Sequence, residues 1–77
     1  MEFIVDSTEL KKEMIGQGFF YNYQLAKASG VGKDTIGKII AHQYKPSYIV
    51  MAKLAGALNL SPKRAGEIFF KQDLRTK

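Results

Sequence analysis

The chain has 77 residues, of which none is cysteine and one is histidine. Domains of this size bury little surface on folding, and many of them rely on disulfides or a structural metal for stability. Without thiols and with one imidazole, this chain has neither a disulfide framework nor a zinc centre of its own. Its fold must be held by the packing of apolar side chains, which make up 45% of the residues. We therefore expect no metal and no cofactor.

Two short helices are predicted in the first half of the chain. Asp6 or Ser7 can cap the first helix, which ends at two nearby glycines. The second runs from about Tyr23 to Ser29, because Asn22 is the best capping side chain before it and Gly30 supplies a left-handed residue after it. A glycine turn thus separates this pair from the helix that follows.

Three further helices are predicted in the second half. Gly32 begins the third, which covers residues 33–41, and Ser47 begins the fourth, which runs to about Leu58. Ser61 can cap the fifth, and Pro62 stands at its first position, where its missing N–H costs nothing. Apolar side chains recur every three or four residues, as in helices with one buried face. These inward-facing positions are Ile36, Ile39, Ile40, Val50, Met51, Leu54, Ala55, Leu58, Ala65, Ile68 and Phe69.

No linker or repeat divides the chain, so the sequence predicts one all-α domain of five helices over residues 1–77. Residues 1–6 can form a short extended arm, and residues 71–77 are expected to form a flexible tail. No apolar run approaches the roughly 20 residues of a membrane span. The acidic start of the chain argues against a secretory leader, and we expect a soluble cytoplasmic protein.

The positive charge lies in the middle of the chain. Residues 27–64 hold seven Lys and Arg against one acid, Asp34, whereas residues 1–26 hold four acids against two lysines. A merely solvated surface usually intersperses its charges, so the central stretch favours a surface that faces phosphates. Accidental clustering in a small domain is the alternative.

The stretch from Asn22 to Ala41 has the pattern of two helices that cross at a glycine turn. Such a crossing requires a small residue where the backbones approach, and Ala26 is that residue. Gly30 makes the turn, and Val31 fills the space beneath it. The positions that bring the second helix back onto the first are Leu25, Ile36 and Ile39.

With these residues, and with Lys45-Pro46-Ser47 and Ser61-Pro62 beyond them, the chain resembles the lambda-repressor and Cro-like helix-turn-helix family, also called XRE-type, over roughly residues 7–70. Residues 66–70 look like those of small phage-type regulators. The resemblance implies a compact five-helix domain with the helix-turn-helix at helices two and three. It also implies a bacterial or phage transcription regulator, such as a repressor, that binds double-stranded operator DNA, usually as a homodimer.

The resemblance further implies which residues contact DNA. The phosphate-binding first residue of helix two corresponds to Asn22. The base-reading positions of helix three correspond to Lys33, Asp34, Gly37 and Lys38. The positions beside the DNA backbone correspond to Gly32 and Thr35, and those of the phosphate-holding loop correspond to His42, Gln43, Tyr44 and Lys45.

Three positions depart from the family pattern. Tyr21 stands where a Ser or Thr cap is usual, which leaves the start of helix two open. Ile40 replaces a common acidic residue, and His42 replaces a common glycine. His42 would then need a left-handed backbone, which His tolerates better than a β-branched residue does.

Several of these residues also have a purely structural interpretation. Lys33 and Lys38 could be ordinary solvated lysines, although their place on the exposed face favours contact with bases or phosphates. Asp34 can stabilise the positive end of its helix or accept a hydrogen bond from a cytosine amino group. Gly37 is explained equally by neutral drift and by close approach to DNA. We expect Thr35 to contact a phosphate.

Other functions find less support. Phe19 and Phe20 are expected to close the core, with Tyr21 and Tyr23 at its rim. Aromatic residues that stack on the bases of a single strand would alternate with Lys or Arg, and none lies between Lys12 and Lys27. The sequence offers no nucleophile with an assignable base and no carboxylate pair in its basic half, so it does not favour an enzyme. The sequence thus predicts a sequence-specific DNA-binding regulator.

The main alternative is a protein-interaction module, such as an antirepressor or antitoxin-like subunit, that keeps the fold and buries helix three against a protein partner. A general nucleic-acid binder is a weaker alternative. A homodimer would use either helix five with Phe70 or the N-terminal arm, and the sequence does not choose between these surfaces.

Overall fold

The computed structural model describes residues 3–72 as five helices and a pair of two-residue strands. The helices are α1 (Ser7–Gly16), α2 (Asn22–Ser29), α3 (Lys33–Ile40), α4 (Tyr48–Ala57) and α5 (Pro62–Phe69), and the strands are β1 (Phe3–Ile4) and β2 (Lys71–Gln72). The predicted fold of five helices, with a helix-turn-helix arrangement at the second and third, is confirmed.

The strands join the two ends of the described segment. β1 pairs with β2 in antiparallel register, with Phe3 opposite Gln72. The predicted N-terminal arm therefore contains a strand, and the first two residues of the segment assigned to a flexible tail form β2 instead. Residues 1–2 and 73–77, which hold the rest of these two predictions, lie outside the described residues.

Side-chain caps begin three of the helices at the predicted positions. The Asp6 carboxylate accepts from the Glu9 N–H at 3.2 Å. The hydroxyls of Ser47 and Ser61 accept from the N–H three residues further on, at 3.3 and 3.1 Å. Each bond satisfies one of the N–H groups that a helix start leaves without an intrahelical partner.

The start of α2 differs from the prediction. Asn22 was expected to cap this helix, but it is the first helical residue, and Tyr21 holds the N-cap position. Gln24 Oε1 accepts from the backbone N–H groups of Phe20 at 2.6 Å and Tyr21 at 3.0 Å. A glutamine at the third helical position thus closes this helix start, as it does in a capping box.

Every helix contributes to one apolar core. The side chains with 1% exposure or less are Leu10, Leu25, Ile36, Ile39, Leu54, Leu58 and Ile68. Ile40, which was predicted to share the buried face of its helix, is only half-buried. Within residues 3–72 no polar or charged side chain is buried, so burial of apolar surface, at about 25 cal/mol per Å², holds the helices together. No helix in this part of the chain has the length and hydropathy of a membrane span.

Arg64 joins α1 to α5 through three carboxylates. Its guanidinium lies 2.6 Å from Glu9 and 2.8 Å from Glu13 of α1, and 3.3 Å from Glu67 of its own helix. The hydrogen bond from Arg64 keeps the pKa of Glu9 below its ordinary value, with a smaller contribution from Lys12. Arg64 was counted with the cations of the basic central stretch, but its charge is neutralised within the protein.

Replacing Arg64 by alanine should destabilise the protein more at about pH 7 than at about pH 3. Because folding lowers the pKa of Glu9, the ionised carboxylate contributes stability above its ordinary value of 4.5. That contribution is lost as the pH falls through the lower folded value. The destabilisation caused by R64A should therefore shrink in acid, and urea unfolding at the two pH values measures it.

Lys63→Ala on the same helix is the matched control, because Lys63 makes no ion pair within residues 3–72. Its small effect should not depend on pH. A loss in R64A that is equal at both pH values would contradict the role given to Glu9.

Candidate nucleic-acid interface

The turn between α2 and α3 positions the exposed face of α3. Gly30 ends α2 with a φ of 80°, in the left-handed region that favours glycine. Its N–H donates to the Ala26 carbonyl at 2.8 Å, and the Ser29 hydroxyl accepts from the Val31 N–H at 3.1 Å. Since Val31 is buried in the core, the turn is anchored from below and holds the angle between the two helices.

α3 has one buried face and one open face. Ile36 and Ile39 are buried in the core. Lys33, Asp34 and Lys38 are exposed, as their spacing along the helix requires. The lysines on which the predicted interface depends therefore reach solvent.

Residues from three successive segments meet at one open cleft of about 460 Å³. The start of α2 supplies one of them, α3 supplies four, and the loop after α3 supplies one. The lining residues are Asn22, Lys33, Asp34, Gly37, Lys38 and Gln43. Six residues that the family resemblance assigned to DNA thus lie together.

Gly32 and Thr35 lie at the N-terminal end of α3 and do not line this cleft. Gly32 is the exposed N-cap residue. Thr35 is half-buried, and its hydroxyl oxygen lies 3.8 Å from the position that a Cβ on Gly32 would take. Their contact with the DNA backbone stays a prediction.

His42 ties the loop after α3 to the start of α1. Its backbone is left-handed, with a φ of 61°, as the replacement of a glycine requires. Its Nε2 lies 3.0 Å from the Val5 carbonyl and 3.1 Å from the Ser7 hydroxyl. Since that hydroxyl donates to the Ile40 carbonyl at 2.7 Å, Nε2 must donate to both oxygens. His42 therefore has a structural role that the sequence did not reveal, and its contact with DNA stays a prediction.

Tyr44 and Lys45 line a different groove, which lies against β1. Both side chains are exposed. The loop predicted to hold phosphates is thus divided between two grooves, with Gln43 in the first and these two residues in the second.

The lysines of the predicted interface are not paired with acids of the described residues. Lys33, Lys38 and Lys45 make no ion pair in the described part of the chain, and neither does Asp34, although it stands four residues before Lys38. Acids of α1 and α5 are bound by Arg64 instead. The exposed lysines of α3 and of the loop that follows it are therefore free to meet an external anion.

The positions of the aromatic residues before and within the first turn of α2 were predicted only in part. Phe19 packs against the core as predicted, but Phe20 is 65% exposed and does not close it. Tyr21 and Tyr23 stack with their ring centroids 5.9 Å apart and are both exposed. The signal that was missed is Gln24, whose side chain binds the backbone of Phe20 and Tyr21 and so holds this segment at the surface.

Two consecutive short helices that cross at a glycine turn, with charged side chains on the open face of the second, define a helix-turn-helix DNA-binding domain. A family model described as helix-turn-helix matches residues 22–64, from the first residue of α2 into α5 and over more than half of the chain. The chain belongs to the Cro/C1-type, or XRE, helix-turn-helix family. This is a family of regulatory domains that bind double-stranded DNA and are not normally enzymes. No curated protein and no solved structure matches the chain significantly.

A substitution of Gly37 tests whether the cleft approaches DNA closely. A Cβ at this position would lie 3.7 Å from Asn22 Nδ2, which is an ordinary van der Waals contact, so the protein itself has room for alanine. We expect Gly37→Ala to raise the free energy of unfolding by about 1 kcal/mol through helix propensity. We expect it to weaken binding to duplex DNA about tenfold, or about 1.4 kcal/mol, because the methyl group enters the cleft. Urea unfolding and fluorescence anisotropy measure the two effects.

Gly66→Ala is the matched control. Gly66 and Gly37 are each the fifth of eight residues in their helices, and a Cβ on Gly66 would meet nothing within 4 Å. This variant should gain similar stability and keep its affinity for DNA. If both variants bind DNA equally well, glycine is not needed at position 37 for the approach.

Proposed function

We propose that the chain is a sequence-specific double-stranded DNA-binding transcriptional regulator, a repressor or Cro-like protein of phage or prophage type, that places α3 in the major groove. The observation that carries this proposal is the cleft described above, which unites polar groups of α2, α3 and the following loop on one open face. Membership of the helix-turn-helix family supports the same mode of binding.

The dimensions of α3 suit the major groove. Eight residues of α-helix extend over about 12 Å, and a helix with its side chains is about 10–12 Å across. The major groove of B-DNA is about 12 Å wide and about 8.5 Å deep. α3 can therefore lie within the groove while α2 crosses the DNA backbone.

The side chains of the cleft match the chemistry of base edges. Lys33 and Lys38 present donors to guanine O6 and N7, and Asp34 presents an acceptor to the amino group of cytosine. Phosphates repel a carboxylate, so Asp34 favours sites that offer it such a donor. Donors and an acceptor on one helix face allow more than one kind of base edge to be read, whereas contacts to phosphates alone would not distinguish sequences.

Phosphate contacts supply much of the affinity in this proposal. We assign them to residues at the start of α2, around the start of α3 and in the loop after it. These residues are Asn22, Gly32, Thr35, His42, Gln43, Tyr44 and Lys45. Each phosphate that a cation neutralises makes log K fall with log salt by about 0.9. Lys45 is the one lysine among these seven residues, so binding should weaken as salt rises, and a steeper slope would indicate that further lysines meet phosphates.

Selection of binding sites from random duplex oligonucleotides tests the proposal. The expected result is one enriched motif that binds about a thousandfold or more tightly than random DNA, with an affinity that falls as salt rises. A palindromic motif would indicate a homodimer with two copies of α3 about 34 Å apart. Salt-dependent binding without a motif would indicate general nucleic-acid binding, and no DNA binding would favour a module that buries α3 against a protein.

Lys33→Ala and Lys38→Ala should each weaken binding to the selected site by about 1–3 kcal/mol and relax the preference at one base pair. Affinity for random duplex should fall less, because a base contact contributes only where its base is present. Anisotropy titrations with the selected site, its single-base variants and random duplex measure the difference.

Lys12→Ala controls for the loss of one positive charge, since Lys12 is paired with Glu9 on α1 at 3.1 Å. It should leave both affinities nearly unchanged. Equal losses on selected and random DNA for Lys33→Ala would refute base reading by Lys33 and leave it a phosphate contact.

A further inference from the structure

The second groove, of about 410 Å³, is lined by β1, the loop after α3, and residues of α4 and α5. Its lining includes the buried side chains of Ile39 and Phe69. It also includes Phe3, Tyr44 and Phe70, which are 50%, 40% and 52% exposed. Binding sites typically have volumes of about 300–1,000 Å³, and clustered exposed aromatic side chains mark interaction surfaces. The groove therefore has the size and lining of a binding site.

Within residues 3–72 the sheet consists of β1 and β2, so the outer edge of β1 pairs with no other described strand. The Phe70 N–H, which could pair with Val5 across the strands, donates to the Gly66 carbonyl instead, and the Val5 carbonyl accepts from His42. Since successive residues of a strand direct their backbone groups to opposite sides, Phe3 directs its N–H and C=O to the same side as Val5, away from β2. That side faces the groove, where His42 already binds the Val5 carbonyl. Among the described residues no strand pairs with this edge at Phe3, so Phe3 can pair with a further strand.

The charge of the groove favours an acidic occupant. None of its lining residues within the segment 3–72 is Asp or Glu. Lys45 lines it and makes no ion pair in this segment. A carboxylate bound among these apolar side chains would find an ammonium group and no opposing charge.

We propose that this groove binds an extended segment of a partner protein that carries apolar side chains and at least one Asp or Glu. Its backbone pairs with Phe3 at the edge of β1, as in strand addition, where main-chain bonds give affinity and alternate side chains give specificity. Its apolar side chains pack against Met51 and Phe70, and its carboxylate meets Lys45.

The segment and DNA bind in competition, because Tyr44 and Lys45 line this groove and also belong to the loop assigned to phosphates. A single ammonium group cannot be bound fully by a carboxylate and by a phosphate at the same place. The competition rests on the proposed function, whereas binding of the segment by itself does not.

A selection of random peptides of about ten residues on the immobilised full chain tests the proposal without DNA. The enriched peptides should alternate apolar side chains and contain an acid, as strand addition requires. Phe70→Ala should weaken their binding about tenfold or more. Phe20→Ala should not, because Phe20 is similarly exposed but does not line the groove.

A charge exchange keeps the test sharp even if Phe70→Ala folds poorly. Lys45→Glu should weaken binding of the acidic peptide, and replacing the acid of the peptide by lysine should restore it. In a titration of the natural chain, amide chemical-shift changes should centre on Phe3, Tyr44 and Phe70. The peptide should also displace the selected DNA from the natural chain but not from F70A.

The proposal is overturned if no peptide is enriched. It is also overturned if F70A and K45E bind the enriched peptides as tightly as the natural chain does. So does a dimer that F70A abolishes, which would make a second copy of this chain the occupant. Binding of anilinonaphthalene sulfonate without any peptide would assign the groove to a small aromatic anion instead. None of these outcomes decides whether a DNA motif is selected. A peptide that binds when no DNA motif is selected would contradict only the proposed function.

Discussion

The packing of α2 against both α3 and α4 is the contact on which the rest of the structure depends. Leu25, Ile36 and Leu54, one from each helix, are completely buried. A helix of eight residues is not stable alone in water, so α3 exists as a helix because this contact buries one of its faces. The glycine turn permits the approach, and the core then determines which side chains α3 presents outward. Apolar packing therefore determines the orientation of the charged face of α3.

The distribution of charge follows from how the ends of the chain fold back. Arg64 reaches from α5 to two carboxylates of α1, so acids near the N-terminus are neutralised away from α3. The lysines of α3 then have no acidic neighbour from another helix that binds them. A surface with an excess of positive charge attracts a polyanion from a distance and orients it during encounter. The ion pairs of α1 and α5 thus stabilise the protein and also hold those acids away from the lysines of α3.

Features that depend on neighbouring residues were predictable from the sequence. The caps at Asp6, Ser47 and Ser61 each follow from the chemistry of a few adjacent atoms, and the left-handed backbone of His42 was implied by the family resemblance, which places a common glycine there. Features that join distant residues were not. The partners of Arg64 lie 51 and 55 residues away, and β1 pairs with the far end of the described chain.

The same distinction applies to the candidate site. The residues of α3 share a cleft because their helical spacing places them on one face, and this spacing can be read from the sequence. Gln24 is an intermediate case, since its position three residues after Tyr21 is visible but its capping role depends on the bent path of the preceding segment. The division of the loop after α3 between two grooves was not predictable, because the second groove exists only where β1 and Phe70 meet that loop.

His42 determines how the two grooves are related. Its imidazole binds the chain beside β1, and its backbone lies in the turn that ends α3, so the loop that both grooves share is held from two sides. In the competition proposed above, direct overlap at Lys45 is then sufficient, and no movement of α3 is required. For exclusive binding, a segment present at about ten times its dissociation constant raises the apparent dissociation constant for DNA about elevenfold. By linkage, DNA weakens binding of the proposed segment in the same exclusive manner, so under this proposal a partner of modest affinity controls the occupancy of DNA through its concentration alone.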